Sequence, residues 1–396
     1  MSEHFFRILT IRISLLLVLA LSLISSPMLF ETLAFATPTA RGILGILSMA
    51  FLILGSSKIE KTDLLILFFV FLNFIIEFFW KSKINNVLSY LSIILIYFLL
   101  FRVLKANELY RKIFFKMWIQ IGYFVSITAI ILFILNQFFP VERDFFHIES
   151  LFSLSPNNFK FHLLGITLDK IYGPFTLTRV YGYFIEPQYI GFFFTMNLLL
   201  ASYSGRFAYK RVWVMLNLLA GAVTFSTTFF LALIPISVIA FTNLPFRVLF
   251  YSIILLIVFI FTIEYESIRN AQILDFTSFA DREVRIKSAV KVLSNATDEN
   301  LFFGHGVGFQ NLYGGPAFSA GFFIALIERG ILGLTFLFIL MFSSLRKKID
   351  AFIIFLLYLF AAPLYVNYLF WICLLAIWVA DKRNEEMKLN RKKILV

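Results

Sequence analysis

The sequence has a single cysteine, Cys373, and only four histidines among its 396 residues. One cysteine excludes an internal disulfide framework and any zinc site built from several thiolates. Charged residues make up 15% of the chain, well below the roughly 25% that is usual in soluble proteins. Hydrophobic residues make up 60%, and the mean hydropathy is +0.89. The composition therefore predicts an all-α, polytopic membrane protein rather than a soluble enzyme.

Apolar stretches recur along the whole chain, and about 20 apolar residues suffice for a helix to cross a bilayer. We predict twelve spans, near 11–29, 41–57, 63–80, 84–101, 117–139, 183–203, 212–225, 228–243, 247–263, 317–343, 349–362 and 364–380. The apolar run 212–243 is divided at TFSTT, Thr224 to Thr228, into a hairpin. This division is needed because an even number of spans must separate two long loops that lie on the same side.

Basic residues mark one side of the predicted membrane. Lysine and arginine are enriched in cytoplasmic loops, and here they cluster at Arg346–Lys348 and in the C-terminal tail. The short loops on the opposite side hold only Arg41, Lys81 and Lys83. Both termini are therefore predicted to be cytoplasmic. Because this asymmetry accounts for much of the net charge of +12, we predict contact with membrane lipids and no nucleic-acid partner.

The assignments divide the chain into six regions, and both long loops fall on the periplasmic side. These regions are an N-terminal five-span part (1–139), a first large periplasmic loop (140–182), a central four-span part (183–263), a second large periplasmic loop (264–316), a C-terminal three-span part (317–380) and a basic cytoplasmic tail (381–396).

A capping box predicts a helix near 279–293 in the second large loop. Ser278 precedes Asp281 by three residues, so the helix should begin near Phe279. Its predicted apolar face consists of Ile286, Ala289, Val290 and Leu293. Arg282 lies at the N-terminal end of that face and Arg285 on its flank, where a helix dipole favours an anion. A solvated face lying on lipid headgroups is the alternative.

Further polar residues occur beside or within apolar stretches. His305, in LFFGHGVGF (301–309), is expected in a tight turn, in either a structural or a proton-handling role. Glu328 and Arg329 interrupt an apolar span, so they either face the protein interior or mark the entry into the bilayer. Arg179 in TRVYGYFIEPQYIGFFF either grips an anion or pairs with a glutamate that follows it.

Arginine is the side chain best suited to a bidentate grip on phosphate. Few carboxylates accompany the arginines of the predicted outer face, namely Arg179, Arg282, Arg285 and Arg329. The sequence therefore predicts that guanidinium groups from separate outer segments bind the phosphate or diphosphate headgroup of a lipid-linked substrate. No metal-ligand cluster and no cofactor motif accompanies them, so neither a metal nor a cofactor is predicted.

Four short motifs together resemble the bacterial O-antigen ligase and polymerase superfamily. They are RVYGYFIEP (179–187), FSTTFFLAL (225–233), DREVRIKSA with FFGHGVGF (281–289 and 302–309), and ALIERGILGL (325–334). Thr228 replaces an arginine that is usual in the second motif. Ser319 and Ala320 stand where ligases of the family carry a histidine–asparagine pair, which favours a repeat-unit polymerase.

The resemblance implies a glycosyltransferase of the bacterial inner membrane that acts on undecaprenyl-diphosphate-linked oligosaccharides at the periplasmic face. It implies lipopolysaccharide or related polysaccharide biosynthesis, inverting transfer without a metal, and a repeat-unit flippase and chain-length regulator as partners. The implied catalytic residues are Arg179, Glu186, Arg282, Arg285 and His305, and the implied substrate-binding residues are Tyr181, Gly182 and Arg329. Ligation to lipid A core, or flipping or export of the oligosaccharide, are the alternatives.

Overall fold

The computed structural model describes residues 84–138, 159–162, 165–172, 175–182, 187–205, 207–241, 277–307, 321–345 and 348–394, together with six single positions. The predicted spans before residue 84, the span 247–263 and the candidate residue Glu186 lie outside these ranges. Mostly helical structure was expected from the composition, and the described part of the chain has it.

Ten helices lie within this part of the chain. They are α1 (Ile84–Ala106), α2 (Glu108–Phe138), α3 (Pro187–Tyr203), α4 (Lys210–Ala222), α5 (Thr227–Phe241), α6 (Thr277–Ser294), α7 (Asp298–Phe303), α8 (Gly321–Leu345), α9 (Ile349–Ala361) and α10 (Tyr368–Ile394). By length and composition alone, α2 and α8 are long and apolar enough to cross a membrane. The chain turns between α4 and α5 within the stretch where the hairpin is predicted.

The prediction of an all-α fold missed a small antiparallel sheet in the first large loop. Strands β1 (Phe159–His162), β2 (Gly165–Tyr172) and β3 (Phe175–Gly182) follow one another in the order β1-β2-β3. The pairing of β2 with β3 runs from Ile166 with Gly182 to Tyr172 with Phe175. Isoleucine, threonine and valine recur in β2 and β3, and β-branched residues of this kind favour strands.

The structure divides into two compact units. The first contains α2, the sheet, α3, α4, most of α5, α10 and the part of α1 from Leu95 onward. The second contains the beginning of α1 together with α6, α7, α8 and α9.

Buried amides join three helices of the first unit. The indole Nε1 of Trp118 in α2 donates to Asn197 Oδ1 in α3 at 2.8 Å. Asn197 Nδ2 in turn donates to Asn217 Oδ1 in α4 at 2.6 Å, and Asn217 Nδ2 donates to the Trp213 carbonyl at 2.8 Å. Because both asparagines are fully buried, an unpaired amide here would be costly. Elsewhere in this unit, Cys373 of α10 is also fully buried.

Replacing Asn197 with alanine is expected to destabilise the first unit by about 1–3 kcal/mol, because Trp118 and Asn217 each lose a buried partner. Thermal unfolding of the detergent-solubilised protein would measure this as a lower Tm. Asn136→Ala is the matched control, since the one hydrogen bond of the Asn136 amide among the described residues lies within its own helix, to the Leu132 carbonyl. Equal Tm values for the two variants would contradict this role of the amide chain.

The second unit is built around α8. Ile286, Ala289 and Val292 of α6 are buried against a patch of α8 formed by Phe323, Ile324 and Ile327. Val290, predicted on the apolar face, is instead exposed, and Val292 takes its place. The reason is tertiary, because the position of α8 rotates the buried stripe of α6 by part of a turn from the stripe that hydrophobicity alone selects.

Candidate functional site

Arg179 lies in β3, opposite Leu168 of β2. The pairing shifts after Val180, because Thr167 pairs with Val180 whereas Ile166 pairs with Gly182. Tyr181 is therefore the extra residue of a β-bulge. A bulge breaks the alternation of side chains and re-aims them, which explains why Val180 and Tyr181 are both buried. The half-buried Arg179 has its guanidinium carbon 5.9 Å from the Tyr181 ring centroid.

The guanidinium group of Arg179 is fixed by backbone carbonyls just beyond the end of α4. Its Nε donates to the Thr224 carbonyl and its Nη2 to the Phe225 carbonyl, each at 2.9 Å. The neighbouring Val180 N–H donates to the Val223 carbonyl at 3.2 Å. A hydrogen bond from a charged guanidinium group to a carbonyl oxygen is stronger than one between neutral groups. Arg179 is thereby held in one orientation on the α4–α5 turn.

Three of the five N–H donors of Arg179 take no part in these two hydrogen bonds. Among the described residues, no acceptor is bonded to them. An arginine positioned by one edge and open at the other is suited to bind an oxyanion such as a phosphate.

The α4–α5 turn that receives Arg179 is itself tightly specified. Phe225 adopts a left-handed conformation with φ of 47°, which is uncommon for a side chain of this size. Ser226 Oγ accepts from the Phe229 N–H at 3.4 Å at the start of α5. Thr228 is 2% exposed, and its Oγ1 has no hydrogen-bond partner within the described ranges. Strain and buried polar groups of this kind are often concentrated at functional sites.

Sequence reasoning missed several residues that build this site. Gln137 of α2 accepts from the Thr178 N–H at 2.9 Å and so docks β3 on α2. The sequence predicts Thr224 and Phe225 only as part of a hairpin, not as carbonyl partners of Arg179. No local sequence pattern predicts that a backbone carbonyl binds a distant arginine. These contacts are therefore visible only in the tertiary structure.

Different side chains contact the two ends of α2. Near its start, the Phe115 ring lies 5.8 Å from Phe207 and 4.0 Å from the guanidinium carbon of Arg383. Near its end, the Phe133 ring lies 6.2 Å from Phe225, beside Arg179. At 1.5 Å rise per residue, Phe115 and Phe133 are about 27 Å apart along the helix, close to the hydrocarbon thickness of a bilayer.

In the second unit, the arginines and the lysines of helix α6 occupy different sides of the helix. At about 100° per residue, the backbone positions of Arg282 and Arg285 fall on the side that includes the buried Ala289. Arg285 is half-buried. Lys287 and Lys291 occupy the opposite side and are exposed.

His305 belongs to a turn that docks on α8. The His305 N–H donates to the Ile327 carbonyl at 2.7 Å, and the Gly306 N–H donates to the Glu328 carbonyl at 3.0 Å. These carbonyls can accept because α8 is interrupted at Gly330, where φ is 65°. The half-buried His305 ring stacks on Phe309 at 4.5 Å, and Phe309 packs against the α6–α8 cluster.

The crossing of this turn with α8 depends on two glycines. A Cβ at Gly304 would collide with the Glu328 carbonyl, and a Cβ at Gly330 would collide with the Phe302 carbonyl. Both glycines also have positive φ values, 86° and 65°. Only glycine combines that conformation with so close an approach of two backbones.

Replacing Gly330 with alanine is expected to destabilise the second unit by about 2–4 kcal/mol, because it adds a backbone collision to a strained φ. Limited proteolysis and Tm measurements would detect the opening of the 303–307 turn. Ile331→Ala is the control, since Ile331 is exposed on the same helix. A Gly330→Ala protein with unchanged Tm and proteolysis pattern would contradict the requirement for glycine.

Glu328 and Arg329 are both buried. The guanidinium carbon of Arg329 lies 3.5 Å from the Tyr90 ring centroid and 5.8 Å from that of Tyr365. Cation–π contacts of this kind stabilise a desolvated arginine. Arg329 is only 4% exposed, a placement that favours a packing role for it over direct contact with a substrate.

The structure thus places the predicted site residues in two groups. Arg179, Tyr181 and Gly182 lie in β3 of the first unit, whereas Arg282, Arg285, His305 and Arg329 lie on elements of the second unit. Glu186 is outside the described ranges. Within those ranges, no group of three or more His, Cys, Asp or Glu residues is arranged to hold a metal ion.

Comparison of the whole chain with known protein families and with curated protein sequences finds no match.

Proposed function

We propose that this chain is a membrane-integral glycosyltransferase that polymerises undecaprenyl-diphosphate-linked oligosaccharide repeat units of O-antigen or a related surface polysaccharide. The motifs quoted above from residues 179–187, 225–233, 281–289 and 325–334 support this proposal by their order and by their predicted sidedness. The observation that carries it is the orientation of Arg179, which is fixed by two backbone carbonyls and whose other N–H donors have no acceptor among the described residues.

The proposal includes a twelve-span arrangement in the bacterial inner membrane, with both termini in the cytoplasm and the site at the periplasmic face. The chemistry at the two ends of α2 supports this orientation. Arg383 and the Phe207–Lys210 segment gather at one end of α2 and Arg179 at the other, separated by about the thickness of a bilayer core. Basic residues at the first end fit the cytoplasmic side.

In the proposed reaction, a hydroxyl oxygen of the acceptor repeat attacks the anomeric carbon of the donor glycan. The bond between that carbon and the diphosphate oxygen breaks, and undecaprenyl diphosphate leaves with the bonding electron pair. Arg179 contributes positive charge that stabilises the departing diphosphate, and the sequence predicts the same role for Arg282 and Arg285. The acceptor proton goes to Glu186 or His305, the two candidate bases.

The decisive experiment uses the purified full-length chain in detergent, with lipid-linked repeat unit as the only glycan. Polymer formation there would exclude a flippase or exporter, because detergent leaves no second compartment to transport into. Transport of the lipid-linked oligosaccharide in reconstituted vesicles, without polymer in either setting, would overturn the proposal.

A gene-deletion strain separates the polymerase from a ligase. Loss of a polymerase leaves single repeats on the final acceptor, whereas loss of a ligase leaves long chains on the lipid carrier. Gel profiles of lipopolysaccharide and of carrier-linked glycan from the same cells would distinguish these outcomes.

A further inference from the structure

A groove of about 860 Å³ opens beside the start of α4 in the first unit. Its lining combines aromatic, cationic and aliphatic side chains, among them Phe207, Tyr209, Lys210, Arg211, Val212 and Met215. Phe207 also contacts Phe115 near the start of α2. The groove therefore lies at the end of α2 opposite to Arg179.

Helix α4 has an apolar face that nothing covers within the described part of the chain. Its buried residues, Trp213, Asn217, Ala220 and Gly221, face inward, and α4 contacts α2 and α3. On the other side, Val212, Met215 and Leu219 recur at helical spacing and are 50%, 62% and 54% exposed. An uncovered apolar stripe of this length suits contact with lipid chains.

Two cationic side chains, those of Lys210 and Arg211, line the groove. Lys210 Nζ donates to the Ser204 carbonyl at 3.1 Å and lies 6.0 Å from the Phe207 ring centroid. Arg211 is the next residue and is exposed. Neither cation has a carboxylate partner among the residues that the structure describes. Burial lowers the pKa of Lys210, so an anion beside it would offset the cost of desolvating its ammonium group.

We propose that this groove binds one anionic glycerophospholipid of the cytoplasmic leaflet. Its phosphate lies against Lys210 and Arg211, and an acyl chain follows Val212, Met215 and Leu219. From Lys210 to Leu219 the helix rises about 14 Å, close to half of the roughly 30 Å hydrocarbon core. Tyr209, which is 79% exposed, lies at the depth where aromatic side chains favour the membrane interface.

The proposal rests on the membrane orientation given above but not on glycosyl transfer. Lipid binding can therefore fail while polymerisation holds, and polymerisation can fail while lipid binding holds. A second copy of this chain is the competing occupant, because an exposed apolar stripe could also be covered by its own equivalent.

Native mass spectrometry of the purified full-length chain would test the proposal, with phosphatidylglycerol or phosphatidylcholine of identical acyl chains added to the detergent. We expect one phosphatidylglycerol to be retained with about tenfold or greater preference over phosphatidylcholine, because each basic side chain near an anionic lipid contributes a few-fold. The Lys210→Gln/Arg211→Gln variant should lose that preference, and Met215→Asn should weaken retention of phosphatidylglycerol.

Lys112→Gln/Lys116→Gln is the matched control. It removes the same number of charges from exposed positions on α2, and it should keep the preference for phosphatidylglycerol. The single variant Arg211→Gln should keep the fold, because Arg211 is exposed. It should reduce the preference for phosphatidylglycerol severalfold. The proposal would be overturned if the control lost the preference for phosphatidylglycerol equally, or if the Lys210/Arg211 variant kept it. A dimer that disappears only in the Lys210/Arg211 variant would also overturn it.

Discussion

Replacing Arg179 with lysine is expected to lower polymer formation by about 100-fold to 1,000-fold, the usual effect of removing one oriented donor from an anion-stabilising site. The guanidinium group uses Nε and Nη2 to hold the Thr224 and Phe225 carbonyls. The remaining donors are then presented in a fixed direction. A lysine ammonium is a single compact charge without this planar fork. It can bond one carbonyl or face the substrate, but it cannot reproduce the whole arrangement.

The measurement is the amount and length of glycan made from lipid-linked repeat unit by the purified variant, with Tm recorded on the same sample. Gln137→Ala is the matched control, because it removes another contact that docks β3, the bond from the Thr178 N–H, without removing the guanidinium. It should retain most activity. In Arg179→Ala, added methylguanidinium should restore part of the activity. Wild-type chain lengths from the lysine variant would contradict an anion-binding role for Arg179.

Replacing Arg282 with lysine is expected to lower the proposed polymer formation by at least about 100-fold, while the Tm of the protein stays unchanged. Arg282 lies in the first half of α6, on the side of the helix that includes Ala289. Lysine preserves the charge and the helix propensity at that position. Any loss of activity therefore reports the planar fork rather than the fold.

Lys287→Gln provides the control for Arg282, because it removes a charge from the exposed side of the same helix. It should leave chain length unchanged and Tm within experimental error. Equal losses in the two variants would show that total charge on α6, rather than the guanidinium at position 282, determines activity. Normal long-chain glycan from Arg282→Lys would remove Arg282 from the proposed site.

The sequence predicted the helical elements well because their signals are strong and local. The α4–α5 turn followed from TFSTT and from the need for an even number of spans. Helix α6 followed from its capping box, and it begins at Thr277, two residues before the expected start. Apolar length and capping residues act within a few turns, so they can be read without knowledge of the tertiary structure.

The sheet and the partners of the arginines could not be predicted in the same way. Strands β2 and β3 have eight residues each, but they lie between long apolar runs, so the sequence predicts 140–182 only as a large periplasmic loop. The carbonyls that hold Arg179 lie more than 40 residues further along the chain. Tyr90 and Tyr365, which enclose Arg329, are far from it in sequence. Contacts of this kind depend on packing between elements.

The burial of Cys373 has a practical consequence. The only thiol of the chain is 0% exposed within α10, so a maleimide reagent added to the purified protein should leave the native chain unmodified. Single cysteines introduced at exposed positions, such as Tyr209, can then be labelled against a silent background. Spectroscopic probes can be attached one at a time without first removing a native residue from the interior of α10.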